Sequence, residues 1–183
     1  MQNFSKFVSY VILYENVFIL VSNMRRKDRE ITDFDKIVKV IESCDCFRLG
    51  LIDEDNLPYI VPLNFAYEVT DGVISLYFHG SKSGKKADIL KTTQKVSFEM
   101  DTGHELKVGN DNPSSYSYYY ECVMGKGEVV ALDSYEDKVN AFKLIMKKYA
   151  HRDDFSFPKI MMKAVAVYKI TVTEFSCKVH AKA

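Results

Sequence analysis

The stretch Tyr77-Phe78-His79-Gly80-Ser81-Lys82-Ser83-Gly84-Lys85-Lys86 concentrates groups that bind anions. An apolar segment ends there, two glycines bracket serine hydroxyls, and two lysines fall in the first turn of a helix predicted over Gly84–Thr92. Backbone N–H groups at a helix start, hydroxyl donors and ammonium charge together make a phosphate site. Lysines oppose the positive end of a helix dipole, so a bound phosphate would rationalise Lys85 and Lys86. The spacing is not that of the nucleotide-binding loop G-x-x-x-x-G-K-[S/T]. A solvated surface loop fits the same residues equally well.

A second stretch, Tyr59-Ile60-Val61-Pro62-Leu63-Asn64-Phe65-Ala66-Tyr67, offers a surface for a flat ring. Strand alternation puts Ile60, Pro62, Asn64 and Ala66 on one face, and Val61, Leu63, Phe65 and Tyr67 on the other. Pro62 donates no ladder hydrogen bond, so it belongs on an edge or beside a ligand. An aromatic ligand there would take apolar contact from Pro62 and amide hydrogen bonds from Asn64. An edge strand with an exposed Asn is the plain alternative.

His79, at the end of the strand before the Gly/Ser loop, is the candidate proton donor, against a purely structural histidine. His104, His151 and His180 lack metal-ligand spacing, and no metal site is expected. Cys44, Cys46, Cys122 and Cys177 are too few and scattered for a disulfide scaffold, and Cys44-Asp45-Cys46 lacks the two-residue gap of a zinc pair. Reduced thiols in a cytoplasmic protein are expected. No nucleophile elbow is present. The tyrosines at 116, 118, 119 and 120 are read as sheet and interface packing.

These residues need a scaffold. Thr32-Asp33-Phe34-Asp35 caps a helix whose apolar positions recur at Phe34, Ile37, Val38 and Ile41. Strands are expected at Phe47–Ile52, Tyr59–Val69, Val73–Phe78, Lys95–Asp101, Tyr116–Leu132 and Ala164–Ala181. Asp71-Gly72 marks a tight hairpin, residues 102–115 a long loop, and Gly125 and Gly127 a bulge in the fifth strand. Asp133-Ser134-Tyr135-Glu136 opens a helix with a core stripe of Tyr135, Val139, Phe142, Ile145, Met146 and Tyr149. Six strands with helices between them predict a mainly β fold, a small barrel with flanking helices.

The chain has 183 residues, 25 basic and 25 acidic side chains, and 47% apolar residues, which suits one domain with a full core. Zero net charge removes the simplest electrostatic case for nucleic acid or an anionic membrane. The apolar run at 7–21 is broken by Glu15 and Asn16 and is shorter than the roughly 20 residues of a spanning helix. It lacks the flanks of a secretory signal. Residues 1–23 are therefore expected to be an extension upstream of a true start at Met24, and residues 24–183 the domain. A weak membrane or partner anchor is the alternative.

From Met24 on, the chain resembles the flavin-binding split-barrel proteins related to pyridoxamine 5′-phosphate oxidase, and within them the nitroimidazole-resistance branch. The resemblance rests on Met24-Arg25-Arg26-Lys27, Arg48-Leu49-Gly50-Leu51 and Pro58 to Tyr67. It continues through Tyr77 to Ser81 with Gly84-Lys85-Lys86, Val96-Ser97-Phe98-Glu99, and Glu121-Cys122-Val123-Met124-Gly125-Lys126-Gly127. It implies a six-stranded antiparallel split β-barrel, homodimeric, with FMN at the subunit interface. By position, Ser81, Lys85 and Lys86 would hold the FMN phosphate. The backbone of Val61, Pro62, Leu63 and Asn64, with the Asn64 amide, would line the ring, and His79 would lie near it. Cys122 stands where many relatives carry serine, among the cofactor-binding positions. The usual Asn-Pro before the fourth strand is replaced around Thr93-Gln94. The implied activity is reduction of a small nitroaromatic-type acceptor with electrons from a reduced nicotinamide. A non-catalytic flavin or haem binding protein is the alternative.

Overall fold

The structure is a computed structural model that describes residues 10–14, 17–21 and 24–182. In chain order the elements are β1 (Tyr10–Tyr14), β2 (Val17–Val21), β3 (Glu30–Ile31), α1 (Phe34–Ser43), β4 (Phe47–Ile52), β5 (Pro58–Leu63), β6 (Ala66–Thr70) and β7 (Val73–Ser81). They continue as α2 (Lys85–Leu90), β8 (Lys95–Lys107), β9 (Ser117–Ala131), α3 (Tyr135–Ala150), α4 (Lys159–Ala164) and β10 (Val165–His180).

One sheet runs β6-β7-β10-β9-β8-β4-β5 with antiparallel neighbours throughout. Its two end strands, β5 and β6, follow each other in the chain but do not pair, so the barrel stays open between them. This is the split barrel. The six predicted strands account for it, with the second divided in two. The division falls at Asn64-Phe65, because the Phe65 N–H donates to the Tyr149 hydroxyl (3.0 Å) instead of to a strand. Pro62 sits on the edge strand, where its missing donor is harmless. β1 and β2 form a hairpin, and β2 lies parallel to β10 at Glu174–Phe175. The expectation about residues 1–9, 15–16 and 22–23 falls outside the described residues.

Aromatic rings fill the barrel. Phe47 lies 5.5 Å from Phe65 and 5.6 Å from Phe78, and Phe78 stacks on Tyr168 at 5.0 Å. Helix α1 closes one end with Phe34, Ile37, Val40 and Ile41 buried, its first turn capped by the Asp33 carboxylate accepting from Lys36 N–H. Among the described residues, no helix is long and apolar enough to cross a membrane.

Three expectations are corrected. The loop at 102–115 shrinks, because β8 runs on to Lys107 past an irregularity at Gly103-His104 and pairs with Ser117–Tyr119. The bulge lies on β10 at Thr173, not at the glycines. Gly125 and Gly127 instead serve close packing: a Cβ on Gly125 would come 2.5 Å from the Phe98 ring and 2.6 Å from the Glu174 carbonyl. On α3, Tyr135 is exposed while Lys138 is buried. The Lys138 stem crosses apolar surface, and its ammonium donates to the Met162 and Val165 carbonyls at 3.3 and 3.2 Å, closing the end of α4.

Candidate functional site

The end of β7 and the start of α2 place the predicted anion-binding residues together. The Ser81 hydroxyl accepts from the Ser83 N–H at 3.2 Å and lies 3.2 Å from the Ser83 hydroxyl. Gly84 takes φ +99, open to glycine and strained for other residues, and starts the helix. Lys86 folds back over β7, and a Cβ at Gly80 would lie 2.5 Å from its Nζ. Its ammonium is 5.9 Å from the Phe78 ring centroid and has no carboxylate partner among the described residues. Burial lowers its pKa. Such a charge calls for a counter-ion.

Lys85 is different. It is exposed, its Nζ is 2.9 Å from Asp53 Oδ2 in the β4–β5 connection, and it lies 4.9 Å from the Tyr59 ring. Asp53 also accepts from the N–H groups of Asp55 and Leu57. The Lys85 hydrogen bond is the first cause holding Asp53 below the usual carboxylate range, and the same bond raises Lys85. Lys85 thus ties α2 to the hairpin that carries β5.

His79 is half-buried at the α3 side of β7, 5.0 Å from the Phe142 ring, which in turn lies 5.9 Å from Phe157. Its Nδ1 is buried with no hydrogen-bond partner among the described residues. Burial, then the Lys86 charge, lowers its pKa, so the ring is neutral at pH 7. Ile60 and Pro62 on β5, and Asn64 just past its end, are exposed, while Val61 and Leu63 are half-buried. The predicted alternation holds as far as Asn64 and is corrected at Ala66, which is buried beside Phe65 because the strand breaks at Asn64-Phe65. No hydrogen bond among the described residues joins Asn64 to the 79–86 segment.

The outer face of β5 continues into an open cleft of about 690 Å³, lined by Arg48, Gly50, Ile60, Glu99, Met124 and Lys178 among others. Arg48 sits opposite Pro62 in the β4–β5 register and donates to Glu99 (2.9 Å) and Asp101 (2.5 Å). Cys122 belongs to the same cluster, its Sγ 3.5 Å from Glu99 Oε1. Burial and that carboxylate push the Cys122 thiol up to about 12, so it stays protonated and donates. Neither Arg48 nor Glu99 was singled out from sequence as a site residue. Their meeting depends on strand register across 51 positions, which no local motif carries. Among the described residues, no group of three or more His, Cys, Asp or Glu is placed to hold a metal.

The sequence profile of the family described as pyridoxamine 5′-phosphate oxidase matches residues 33–179, most of the chain. The chain belongs to the pyridoxamine 5′-phosphate oxidase family. Among solved structures, a candidate 5-nitroimidazole antibiotic resistance protein from Bacteroides thetaiotaomicron is similar at 31% identity and TM-score 0.71, covering 82% of this chain and 86% of that one. The flavocytochrome Anf3 of Azotobacter vinelandii shares the fold at TM-score 0.73 and 17% identity, over 88% and 73% of the two chains. An FAD- and haem-binding protein from Mycobacterium smegmatis does so at 0.72 and 14%, over 84% and 74%. No curated protein matches the sequence. Membership of the pyridoxamine 5′-phosphate oxidase family accounts for the split barrel and for its open edge beside β5.

Proposed function

We propose that this protein is an FMN-dependent oxidoreductase that passes electrons from a reduced nicotinamide to a small organic acceptor of nitroaromatic type. The observation that carries the reading is Lys86: a half-buried ammonium with no carboxylate partner among the described residues, held against Gly80 in the segment that also carries the paired Ser81 and Ser83 hydroxyls. The donor set suits a phosphate monoester. Lys86 and Ser81 hold it, with Lys85 adding charge from the flank while bound to Asp53.

The chemistry supplied by bound FMN is hydride acceptance from the nicotinamide and reduction of the acceptor. The protein orients and shields. Val61, Pro62, Leu63 and Asn64 line the ring along the edge strand, where the ladder leaves backbone groups free to bond it, and the Asn64 amide supplies a further hydrogen bond. His79 stands near the ring as a neutral imidazole whose N–H would donate a hydrogen bond to the acceptor. Cys122, fixed as a thiol against Glu99, borders the same outer face. A homodimer would cover that face, where Ile60 is 63% exposed. The same reading is of a cytoplasmic protein.

A second reading, a carrier of flavin or haem without turnover, draws support from the flavocytochrome and the FAD- and haem-binding protein that share the fold. Anaerobic mixing of the flavin-loaded protein with NADH and NADPH separates the two. Bleaching of bound flavin faster than free FMN supports the oxidoreductase. Bleaching no faster than free FMN supports the carrier.

A further inference from the structure

A second cleft of about 690 Å³ opens where residues 26–29, the β8–β9 connection and the end of β10 meet. Its charged lining is Arg26, Arg29 and Lys107, with no carboxylate among the described lining residues. Asp28, outside the lining, neutralises Arg26 by a two-pronged pair at 2.7 and 2.5 Å. Arg29 donates to the Tyr120 hydroxyl at 3.5 Å, and Lys107 makes no ion pair among the described residues. Arg29 and Lys107 are in no ion pair among the described residues, although Asp28 also feels the Arg29 charge, and two such cations on the wall of a concavity focus positive potential into it.

The wall is preformed. Asn110, Asn112, Ser114 and Ser115 bond one another: Asn110 N–H to the Ser115 hydroxyl at 2.9 Å, Asn112 N–H to the Asn110 side chain at 2.9 Å, and Ser114 N–H to the Asn112 side chain at 3.1 Å. His180 Nδ1 lies 2.6 Å from the Tyr118 carbonyl. A carbonyl only accepts, so Nδ1 carries the proton and Nε2 is left for a ligand donor. Tyr116 lines the cleft with its ring half exposed. Lys178 lines the first cleft and His180 the second, two residues apart on one face of β10, about 7 Å along the strand. The two concavities therefore adjoin.

We propose that this second cleft binds the phosphate-bearing end of a nucleotide, with Arg29 and Lys107 on the phosphate and Tyr116 against the base. On the flavin reading above, on which this further step rests, that nucleotide is the nicotinamide dinucleotide donor, its reducing end directed along β10 toward the first cleft.

The test is calorimetric titration of the full chain with 2′,5′-ADP, 5′-AMP and inorganic phosphate, with flavin content measured on the same samples. Lys107→Glu and Arg29→Gln are compared with the unaltered protein. Lys107 is exposed and makes no ion pair among the described residues, so its replacement leaves the fold intact. Saturable binding of at least one adenosine phosphate, tighter than inorganic phosphate and weakened tenfold or more in each variant at unchanged flavin content, is expected. Preference for 2′,5′-ADP assigns the 2′-phosphorylated dinucleotide, and preference for 5′-AMP the plain one. Nucleotides that bind no better than phosphate, or variants that bind as the unaltered protein does, overturn the proposal. A protein that is colourless, refuses added FMN and still binds nucleotide here rejects the flavin reading alone.

Discussion

At Lys86 an ammonium is held half-buried over Gly80 with no carboxylate partner among the described residues, whereas Lys85 next to it is neutralised by Asp53 2.9 Å away. The two lysines should therefore not be equivalent. Lys86→Met is expected to remove one charge-assisted contact, weakening FMN binding by about 1.5–3 kcal/mol, whereas Lys85→Met should cost at most about 1 kcal/mol, the scale of an exposed pair. Fluorescence titration of FMN measures both, and equal losses would contradict the assignment. Gly80→Ala is a sharper probe, since its Cβ would meet only the flexible end of Lys86. It should leave the melting temperature nearly unchanged and still weaken FMN binding. His79 has a depressed pKa, so on acidification the unfolded chain takes up this proton first. Its contribution to stability is then complete above the unfolded value and is lost as pH falls through the lower folded one. His79→Phe should lower the drop in melting temperature between about pH 8 and about pH 5. An unchanged drop would show that His79 titrates as in the unfolded chain.

Among the elements, β9 and β10 bear the closest packing. A Cβ at Gly125 would meet the Phe98 ring on one side and a backbone carbonyl of β10 on the other, and the carbonyl cannot yield. Gly125→Ala should destabilise by about 1–3 kcal/mol, as overpacking does, seen as a lower midpoint in urea with unchanged slope. Most elements were legible because their causes are local. Asp71-Gly72 adopts positive φ at both positions, as a two-residue hairpin requires. Asp33 and Ser134 cap α1 and α3 through side chains three residues from their partners. The far half of β8 was not legible, because the short alternating run Glu105-Leu106-Lys107-Val108 stands between Gly103 and the turn-forming Gly109-Asn110-Asp111-Asn112-Pro113 and is exposed on both faces. Their strand state comes from pairing with Ser117–Tyr119. Lys138 escaped for a related reason: its burial is set by the end of α4, 24 residues away.

For the whole molecule, the residues of the proposed anion site were legible as a group because one strand end and one short helix carry them within ten residues. The Arg48–Glu99–Asp101 cluster beside Cys122 was not, since three strands contribute to it and only the folded register brings them together. The same register sets the outer face of β5 beside the first cleft and leaves the barrel open there, which is where a planar cofactor has room. The central claim is that this opening and the Lys86 site serve one ligand, FMN. The most direct measurement is the visible absorbance spectrum of the freshly purified protein, followed by the mass of whatever denaturation releases. A flavin spectrum with FMN in the released fraction is the predicted result, whereas a colourless protein that also refuses added FMN would contradict it.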